Sequence, residues 1–156
     1  MTETEIIREM TLDDLDEVME IENASFPSPW SFYAFEHDII HNPHAHYFVL
    51  ENKNKIIGYA GLWIFETVAH IVNMAVQEDF RQCGHATRLL HYIMKFGHEY
   101  GVERFTLEVR ASNIAAMNLY KANGFVDVGI RPRYYQDNRE DAIIMWTRCE
   151  DGEIRF

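Results

Sequence analysis

The sequence has only two cysteines, Cys83 and Cys149, among its 156 residues. Two cysteines are too few for a disulfide framework, and such scarcity is typical of proteins from a reducing compartment. Positive charge is also scarce, because 14 lysines and arginines face 25 aspartates and glutamates, for a formal net charge of -11. A surface this acidic repels nucleic-acid phosphates, so we expect no direct DNA or RNA binding and a preference for basic partners.

Long apolar runs and a targeting signal are missing as well. No stretch approaches the roughly 20 apolar residues of a membrane span, and the acidic start, Met1 to Glu5, lacks the positive lead of a signal peptide. What is present is a hydrophobic fraction of 47% and an aromatic fraction of 13%, typical of a folded chain. We therefore expect one domain over residues 1–156 that is monomeric, cytoplasmic and not bound to a membrane.

Hydrophobic periodicity predicts four helices and seven strands in the order β-α-α-β-β-β-α-β-α-β-β. The first helix begins near Thr11 and the second near Ser31, and the spacing in the second predicts that Phe32, Phe35 and Ile39 face inward. The predicted strands cover residues 5–10, 46–51, 56–65, 67–76, 104–110, 125–131 and 141–147. This order predicts an α/β (α+β) fold with a mixed sheet and helices on both faces.

The most informative stretch joins the predicted strand at 67–76 to a helix that runs to about residue 100. Arg81, Gly84 and Ala86 give this loop an Arg-x-x-Gly-x-Ala pattern. Small residues let a ligand approach the backbone, and the unpaired N–H groups of the helix start favour phosphate. The loop lacks the Lys-Ser/Thr of a nucleoside-triphosphate loop and the three glycines of a dinucleotide site. On its own, the pattern leaves an ordinary strand-to-helix turn open as the alternative.

Two side chains in the second half of the chain could carry chemistry. Glu108 lies in the apolar strand at 104–110, where it could point to solvent or act as a partly desolvated general base with a raised pKa. Tyr120 lies on the next helix beside Ala116 and Leu119. It could pack in the core with its hydroxyl at the rim, or donate a proton to a departing thiolate. Spacing alone leaves both alternatives open for both residues.

Other candidates have plainer interpretations. His41, His44 and His46 cluster without a cysteine, which favours a solvated loop over a metal site, so we predict no metal. His85 is expected to contribute its backbone N–H rather than to act as a base. Cys83 could be redox-sensitive, because thiol pKa values fall near a helix start. Aromatic residues in two loops suggest a binding surface or caps on the core, and these are Phe26, Trp30, Tyr134 and Tyr135.

In combination, these segments resemble the GCN5-related N-acetyltransferase (GNAT) superfamily over essentially the whole chain. The acetyl-CoA loop of that superfamily reads Gln/Arg-x-x-Gly-x-Gly/Ala, which Arg81, Gly84 and Ala86 match. The other matching segments are Ser25-Phe26-Pro27-Ser28-Pro29-Trp30, Leu107-Glu108-Val109-Arg110-Ala111-Ser112-Asn113, Leu119-Tyr120 with Gly124-Phe125, Arg131-x-x-Tyr134-Tyr135, and Glu140-Asp141-Ala142-Ile143-Ile144-Met145. The ordered set is similar to the RimI family, which acetylates the N-terminal alanine of the eighteenth small-subunit ribosomal protein.

The resemblance implies the GNAT fold, whose central sheet is mixed, mostly antiparallel and about seven-stranded. It implies acetyl-CoA as cosubstrate, with Glu108 as proton acceptor and Tyr120 as proton donor. The implied cofactor-binding residues are Met74, Ala75 and Val76 on the strand edge, Gln82, Cys83, Gly84, His85, Ala86 and Thr87 in the pyrophosphate loop, and Asn113. The implied slot for the peptide is lined by Phe26, Pro27, Trp30, Tyr134 and Tyr135. Cys83 and His85 depart from the residues usual in this loop.

The implied reaction is direct acetyl transfer to the N-terminal alanine of a basic ribosomal protein. Acetylation of other protein N-termini, of lysines or of small amines is the alternative within the same class. A non-catalytic acyl-CoA-binding module is an alternative from another class, which the presence of both Glu108 and Tyr120 disfavours. A nucleotide-hydrolysing switch is disfavoured by the missing Lys and Ser/Thr.

Overall fold

The predicted order of helices and strands is present in the computed structural model, which describes residues 5–148. The strands are β1 (Glu5–Glu9), β2 (Ala45–Asn52), β3 (Lys55–Phe65), β4 (Val68–Val76), β5 (Arg104–Arg110), β6 (Phe125–Arg131) and β7 (Ala142–Thr147). The helices are α1 (Leu15–Ser25), α2 (Phe32–His41), α3 (His85–Glu99) and α4 (Ile114–Ala122), with 3₁₀ turns at Leu12–Asp14 and Glu78–Phe80. Residues 1–4 of the acidic start and Cys149 lie outside the described residues.

The seven strands form one mixed sheet in the order β1-β2-β3-β4-β5-β7-β6. Each neighbouring pair is antiparallel except β4 and β5, which run parallel. This parallel ladder is short, because it pairs only residues 68–70 of β4 with residues 104–106 of β5. The mixed, mostly antiparallel sheet that the resemblance implied is confirmed, and it is split beyond this short ladder.

Helices cover both faces of the sheet, as predicted. On one face, Leu90 and Ile93 of α3 and Tyr120 of α4 join a single apolar cluster with the strands. On the other face, Val18 of α1 and Phe35 of α2 belong to a second cluster. Among the described residues, no helix combines the length and the apolar character needed to cross a membrane.

The alternation of side chains along β5 decides where its polar groups point. Phe105, Leu107 and Val109 are buried in the cluster beneath α3 and α4. Because successive side chains of a strand point to opposite faces, Thr106 and Glu108 lie on the side of α1 and α2. Glu108 therefore lies on the face of the sheet covered by α1 and α2, two residues beyond Thr106, the last β5 residue of the parallel ladder.

The predicted inward face of α2 is only partly correct. Phe35 is fully buried, with its ring 5.9 Å from that of Tyr47 and 6.0 Å from that of Tyr59. Ile39 is half-buried, but Phe32 is 42% exposed, so the prediction for Phe32 was wrong. Ser31 caps the helix through a bond from the Ala34 N–H, and Phe32 follows in the first turn. Periodicity gives the direction of a helix face but not how far along the helix the sheet extends.

Candidate active site

The candidate site begins where β4 and β5 separate. The parallel ladder ends at His70, so residues 71–76 of β4 keep strand partners on β3 alone within the described chain. The edge that faces β5 therefore presents backbone N–H and C=O groups with no neighbouring strand, and an extended molecule carrying amides can pair with such an edge. The predicted cofactor-binding residues Met74, Ala75 and Val76 lie on this segment.

The loop after β4 presents a second set of unpaired backbone groups. The first bond of α3 runs from the Arg88 N–H to the Gly84 carbonyl oxygen at 3.1 Å, and within residues 5–148 the six amides of residues 82–87 donate no hydrogen bond. These donors lie at the positive end of the α3 dipole, where phosphate groups bind. The predicted pyrophosphate loop covers the same residues, namely Gln82, Cys83, Gly84, His85, Ala86 and Thr87.

Two left-handed residues turn the loop toward the helix. Gln82 has a φ of 61° and Gly84 a φ of 84°. A Cβ added at Gly84 would meet no atom within 4 Å, so the space in front of the loop is open. Glycine is thus required here for its backbone conformation, and its missing side chain leaves the amides accessible to a ligand.

Side chains on either side of the loop are turned back toward the protein. Arg81 Nε lies 2.9 Å from the Val76 carbonyl oxygen. The His85 ring is buried, with Nδ1 2.9 Å from the Phe80 carbonyl oxygen and Nε2 2.9 Å from Glu5 Oε1. The expectation for His85 concerned only its backbone N–H, and nothing in the local sequence indicated that its ring bonds to β1.

Glu108 lies at the mouth of the split with two partners. Its Oε2 atom lies 2.5 Å from His70 Nε2, and its Oε1 atom lies 3.3 Å from Arg131 Nε. The side chain is 16% exposed. Glu108 is therefore a partly desolvated carboxylate in a charged cluster rather than a solvated edge residue.

The pKa of the Glu108 carboxyl is lowered, chiefly by the hydrogen bond to His70, with a smaller contribution from the charge of Arg131. Burial acts in the opposite direction but does not prevail. The interpretation of Glu108 as a base with a raised pKa is therefore wrong. Sequence reasoning missed His70, which is 38 positions away along the chain; a histidine within the apolar strand β4 was the one available signal.

Tyr120 lies on the opposite face of the sheet from Glu108. Tyr120 is 8% exposed, and its ring packs edge-on against that of Phe125, with 5.5 Å between the ring centroids. Burial raises the pKa of the phenol, and the nearby Tyr135 adds to this effect, so the hydroxyl is protonated at neutral pH. A reacting group must occupy the split between the two half-sheets to contact both Glu108 and Tyr120.

Trp30, in the loop between α1 and α2, packs against Trp63 of β3, which in turn packs against His70. The Trp30 and Trp63 ring centroids are 6.4 Å apart, and those of Trp63 and His70 are 6.0 Å apart. In the same loop, Phe26 is half-buried and Pro27 is exposed. Trp63 therefore lies beside His70, which contacts Glu108 directly. Trp63 was not predicted, because it lies in β3 at an ordinary strand position.

The loop between β6 and β7 is linked to Glu108 through Arg131. Tyr134 is 46% exposed, its ring centroid is 5.2 Å from that of Tyr135, and the Arg131 guanidinium lies 6.0 Å from its ring. The Arg110 guanidinium lies 4.0 Å from the Tyr135 ring centroid. Burial raises the pKa of Tyr135 to about 12, while Arg110 opposes the shift. Arg131 thus joins this loop to Glu108.

Asn113 and Cys83 differ in how far their side chains are already engaged. Asn113 caps α4, because its Oδ1 accepts a bond from the Ala116 N–H at 3.1 Å, and the residue is exposed. Cys83 is an exposed free thiol whose Sγ lies 3.4 Å from the Arg81 carbonyl oxygen. Both residues are therefore accessible from solvent at the ends of helices.

The three clustered histidines of the sequence diverge in the structure. The His41 ring lies 4.8 Å from that of His37 on α2 at a tilt of 46°, and His44 Nδ1 lies 3.1 Å from the Ile64 carbonyl oxygen. His46 packs against α3, with its ring centroid 5.1 Å from that of Phe96. Within residues 5–148, no three His, Cys, Asp or Glu side chains are placed to hold a metal ion together.

Comparison with known proteins defines the class. The sequence profile of the Acetyltransferase (GNAT) family matches residues 15–125. The chain therefore belongs to the GNAT family of acetyltransferases. The coarse expectation of an acetyltransferase that uses the family's acetyl-CoA chemistry is confirmed by this match.

Individual relatives narrow the class further. The chain is 43% identical, over 93% of its length and 96% of the relative's, to a candidate ribosomal protein bS18-alanine N-acetyltransferase of Bacillus subtilis. It is 36% identical to an N-alpha-acetyltransferase of Sulfurisphaera tokodaii, covering 89% of this chain and 90% of that one. The crystal structure of the ribosomal-protein-alanine N-acetyltransferase of Escherichia coli superimposes with a TM-score of 0.85 at 31% identity, covering 97% and 96% of the two chains.

Proposed function

We propose that this chain transfers the acetyl group of acetyl-CoA to the N-terminal alanine of ribosomal protein bS18. The names of the Bacillus subtilis and Escherichia coli relatives support this substrate. The observation that carries the proposal is the position of Glu108, an ionised carboxylate at the mouth of the split beside the unpaired edge of β4. The proposal takes residues 1–156 as one domain that acts as a cytoplasmic monomer.

Backbone groups would bind the cofactor. The free amides of residues 82–87 suit the diphosphate of acetyl-CoA, and the edge of β4 at Met74, Ala75 and Val76 suits the amides of its pantetheine arm. Asn113 would add a contact from the start of α4. The thioester carbon would then lie between Glu108 and Tyr120.

The amine needs little help to become a nucleophile. A peptide α-amine has a pKa of about 8, so roughly a tenth of it is neutral at pH 7, whereas a lysine amine near 10.4 is almost entirely charged. Because the pKa of Glu108 is lowered, this carboxylate is a weak base toward a free ammonium group. Its task is to take the proton through a bound water once the N–C bond has formed and the nitrogen has become far more acidic.

Tyr120 would act on the leaving group. As the C–S bond breaks, the thiolate of coenzyme A accumulates negative charge that a hydrogen-bond donor stabilises. Since burial raises the pKa of Tyr120, the phenol is a reluctant proton donor. Its hydroxyl therefore stabilises the thiolate mainly by a hydrogen bond, and water supplies the proton afterwards.

The substrate peptide would enter between the two loops. The proposed slot is lined by Phe26, Pro27, Trp30, Tyr134 and Tyr135. The formal net charge of -11 favours a basic ribosomal-protein tail over an acidic one. The relative named as an N-alpha-acetyltransferase favours a second candidate function, the acetylation of a wider range of protein N-termini.

A panel of peptides tests the proposal. Purified protein and acetyl-CoA are mixed with peptides that begin with the bS18 sequence, with Ser or with Met, with an N-blocked peptide that contains lysine, and with spermidine. We expect the alanine peptide to be acetylated fastest at its α-amine, as measured by thiol release and mass spectrometry. Equal rates on all free N-termini would favour the wider range, and acetylation of the blocked peptide would contradict an N-terminal function.

A further inference from the structure

We propose that His85 is a positioning residue for the cofactor loop, in which an imidazolium with two ring N–H groups ties the start of α3 to the Phe80 carbonyl and to Glu5 of β1. The inference rests on the proposed binding of the coenzyme A diphosphate by the amides of residues 82–87. It concerns the ring of a residue whose backbone alone was expected to contact the cofactor.

The protonation of the ring follows from its two partners. A carbonyl oxygen has only lone pairs, so Nδ1, 2.9 Å from the Phe80 oxygen, must carry a proton. Nε2 lies 2.9 Å from Glu5 Oε1, and the other oxygen of that carboxylate lies 2.5 Å from Arg88 Nη2. Hydrogen bonds from His85 and Arg88 lower the pKa of Glu5, so the carboxylate is ionised and can only accept. A neutral imidazole has one N–H and cannot donate to both acceptors.

The ring holds the two ends of the loop together. Phe80 is the last residue of the 3₁₀ turn before the loop, and His85 is the first residue of α3. The bond between them closes the exposed residues 81–84, which include the left-handed Gln82 and Gly84. A pre-formed loop aims its amides at one point and spares the bound cofactor the entropy of ordering them.

The Glu5 carboxylate is shared by two nitrogen donors, His85 and Arg88. Within the described part of the chain, three elements surround the ring. β1 provides Glu5, and α3 provides Arg88, which contacts Glu5. The 3₁₀ turn provides the Phe80 carbonyl and the Phe80 ring, whose centroid lies 5.9 Å from that of His85. A nitrogen lone pair in place of either ring N–H would face an acceptor oxygen, so both ring bonds need a proton on the imidazole side.

Two variants separate the charge from the shape. His85→Leu fills the space but donates nothing, so we expect the Kd for coenzyme A and the KM for acetyl-CoA to rise about 10-fold, with kcat within about twofold. Glu5→Gln is isosteric: its carbonyl can accept from Arg88 while its amide donates to a neutral His85. Binding of coenzyme A should then stay near the wild-type value. His91→Gln, on the exposed side of α3, is the matched control and should behave as wild type.

Nitrogen-15 NMR of the histidine rings reads the protonation directly. Signals that vanish in His85→Leu are assigned to His85. From the two acceptor contacts, both of its nitrogens should carry a proton in the wild type, and one should be without a proton in Glu5→Gln. A neutral His85 ring in the wild type, or unchanged coenzyme A affinity in His85→Leu, would overturn the inference. If the wild type itself shows no affinity for coenzyme A, the proposed function fails instead, whatever the ring signals show.

Discussion

The proposed cofactor side and the proposed catalytic side of the split are built from different parts of the chain. On the cofactor side, six consecutive backbone amides and a strand edge without a neighbouring strand are available to a ligand. On the catalytic side, side chains from separate elements meet, namely Glu108 on β5, His70 on β4 and Arg131 on β6. A site made of backbone tolerates unusual residues such as Cys83, whereas a site made of side chains depends on the identity of each one.

The strongest test of this difference is Glu108→Gln. The amide keeps the size of the carboxylate but cannot accept the amine proton, so we expect kcat to fall by about 10²–10⁴. The KM for acetyl-CoA should not change, because the amides of residues 82–87 are untouched. Thiol release with the alanine peptide measures both values. The control is Glu103→Gln, at an exposed residue immediately before β5; a Glu108→Gln rate within tenfold of that control would remove Glu108 from the mechanism.

Tyr120→Phe should give the next largest loss. It removes one hydroxyl and keeps the ring that packs against Phe125. Losing a hydrogen bond to a developing thiolate should lower kcat by about 10², with unchanged thermal stability. Tyr100→Phe, at an exposed tyrosine, serves as the control. Equal single-turnover rates in the two variants would assign Tyr120 to packing alone.

Gly84→Ala tests the backbone side and has a matched control in Gly124→Ala. Both glycines have a positive φ, 84° and 93°, and neither would place a new Cβ within 4 Å of another atom. Each variant should lose about 1–2 kcal/mol of stability from backbone strain. Gly84→Ala alone should also raise the KM for acetyl-CoA about 10-fold, because the methyl group and the strained turn disturb the amides. Equal KM values in the two variants would mean that this loop does not bind the cofactor.

The smallest expected effect is on the pH profile of His70→Leu. The hydrogen bond to His70 is the chief cause of the lowered pKa of Glu108, so its removal should raise that pKa. A carboxylate with a lowered pKa stays ionised as the pH falls, so the wild type keeps its proton acceptor to a lower pH than the variant. The acid limb of kcat/KM should therefore shift to higher pH in His70→Leu and stay in place in His41→Gln, an exposed histidine on α2.

The conformation of the proposed cofactor loop was predictable because its information is local. Arg81, Gly84 and the following helix lie within a few positions of one another, and the loop occupies the predicted place. The environment of Glu108 was not predictable, because His70 and Arg131 lie 38 and 23 positions away and meet it only through strand order. That is why the direction of its pKa shift was wrong. Phe32 was assigned to the wrong environment for a related reason, since the reach of the sheet along α2 is a tertiary property.

The three-residue junction between β4 and β5 also has a mechanical consequence. Over residues 5–148, only three residue pairs of the parallel ladder join the half of the sheet from β1 to β4 to the half from β5 to β7. Because few backbone hydrogen bonds cross between β4 and β5, local opening events at the split can expose amide protons on either side of it while the apolar cluster beneath α3 and α4 stays packed. A molecule bound in the split would link the two halves of the sheet, so its binding should slow amide hydrogen exchange even on strands that it does not contact.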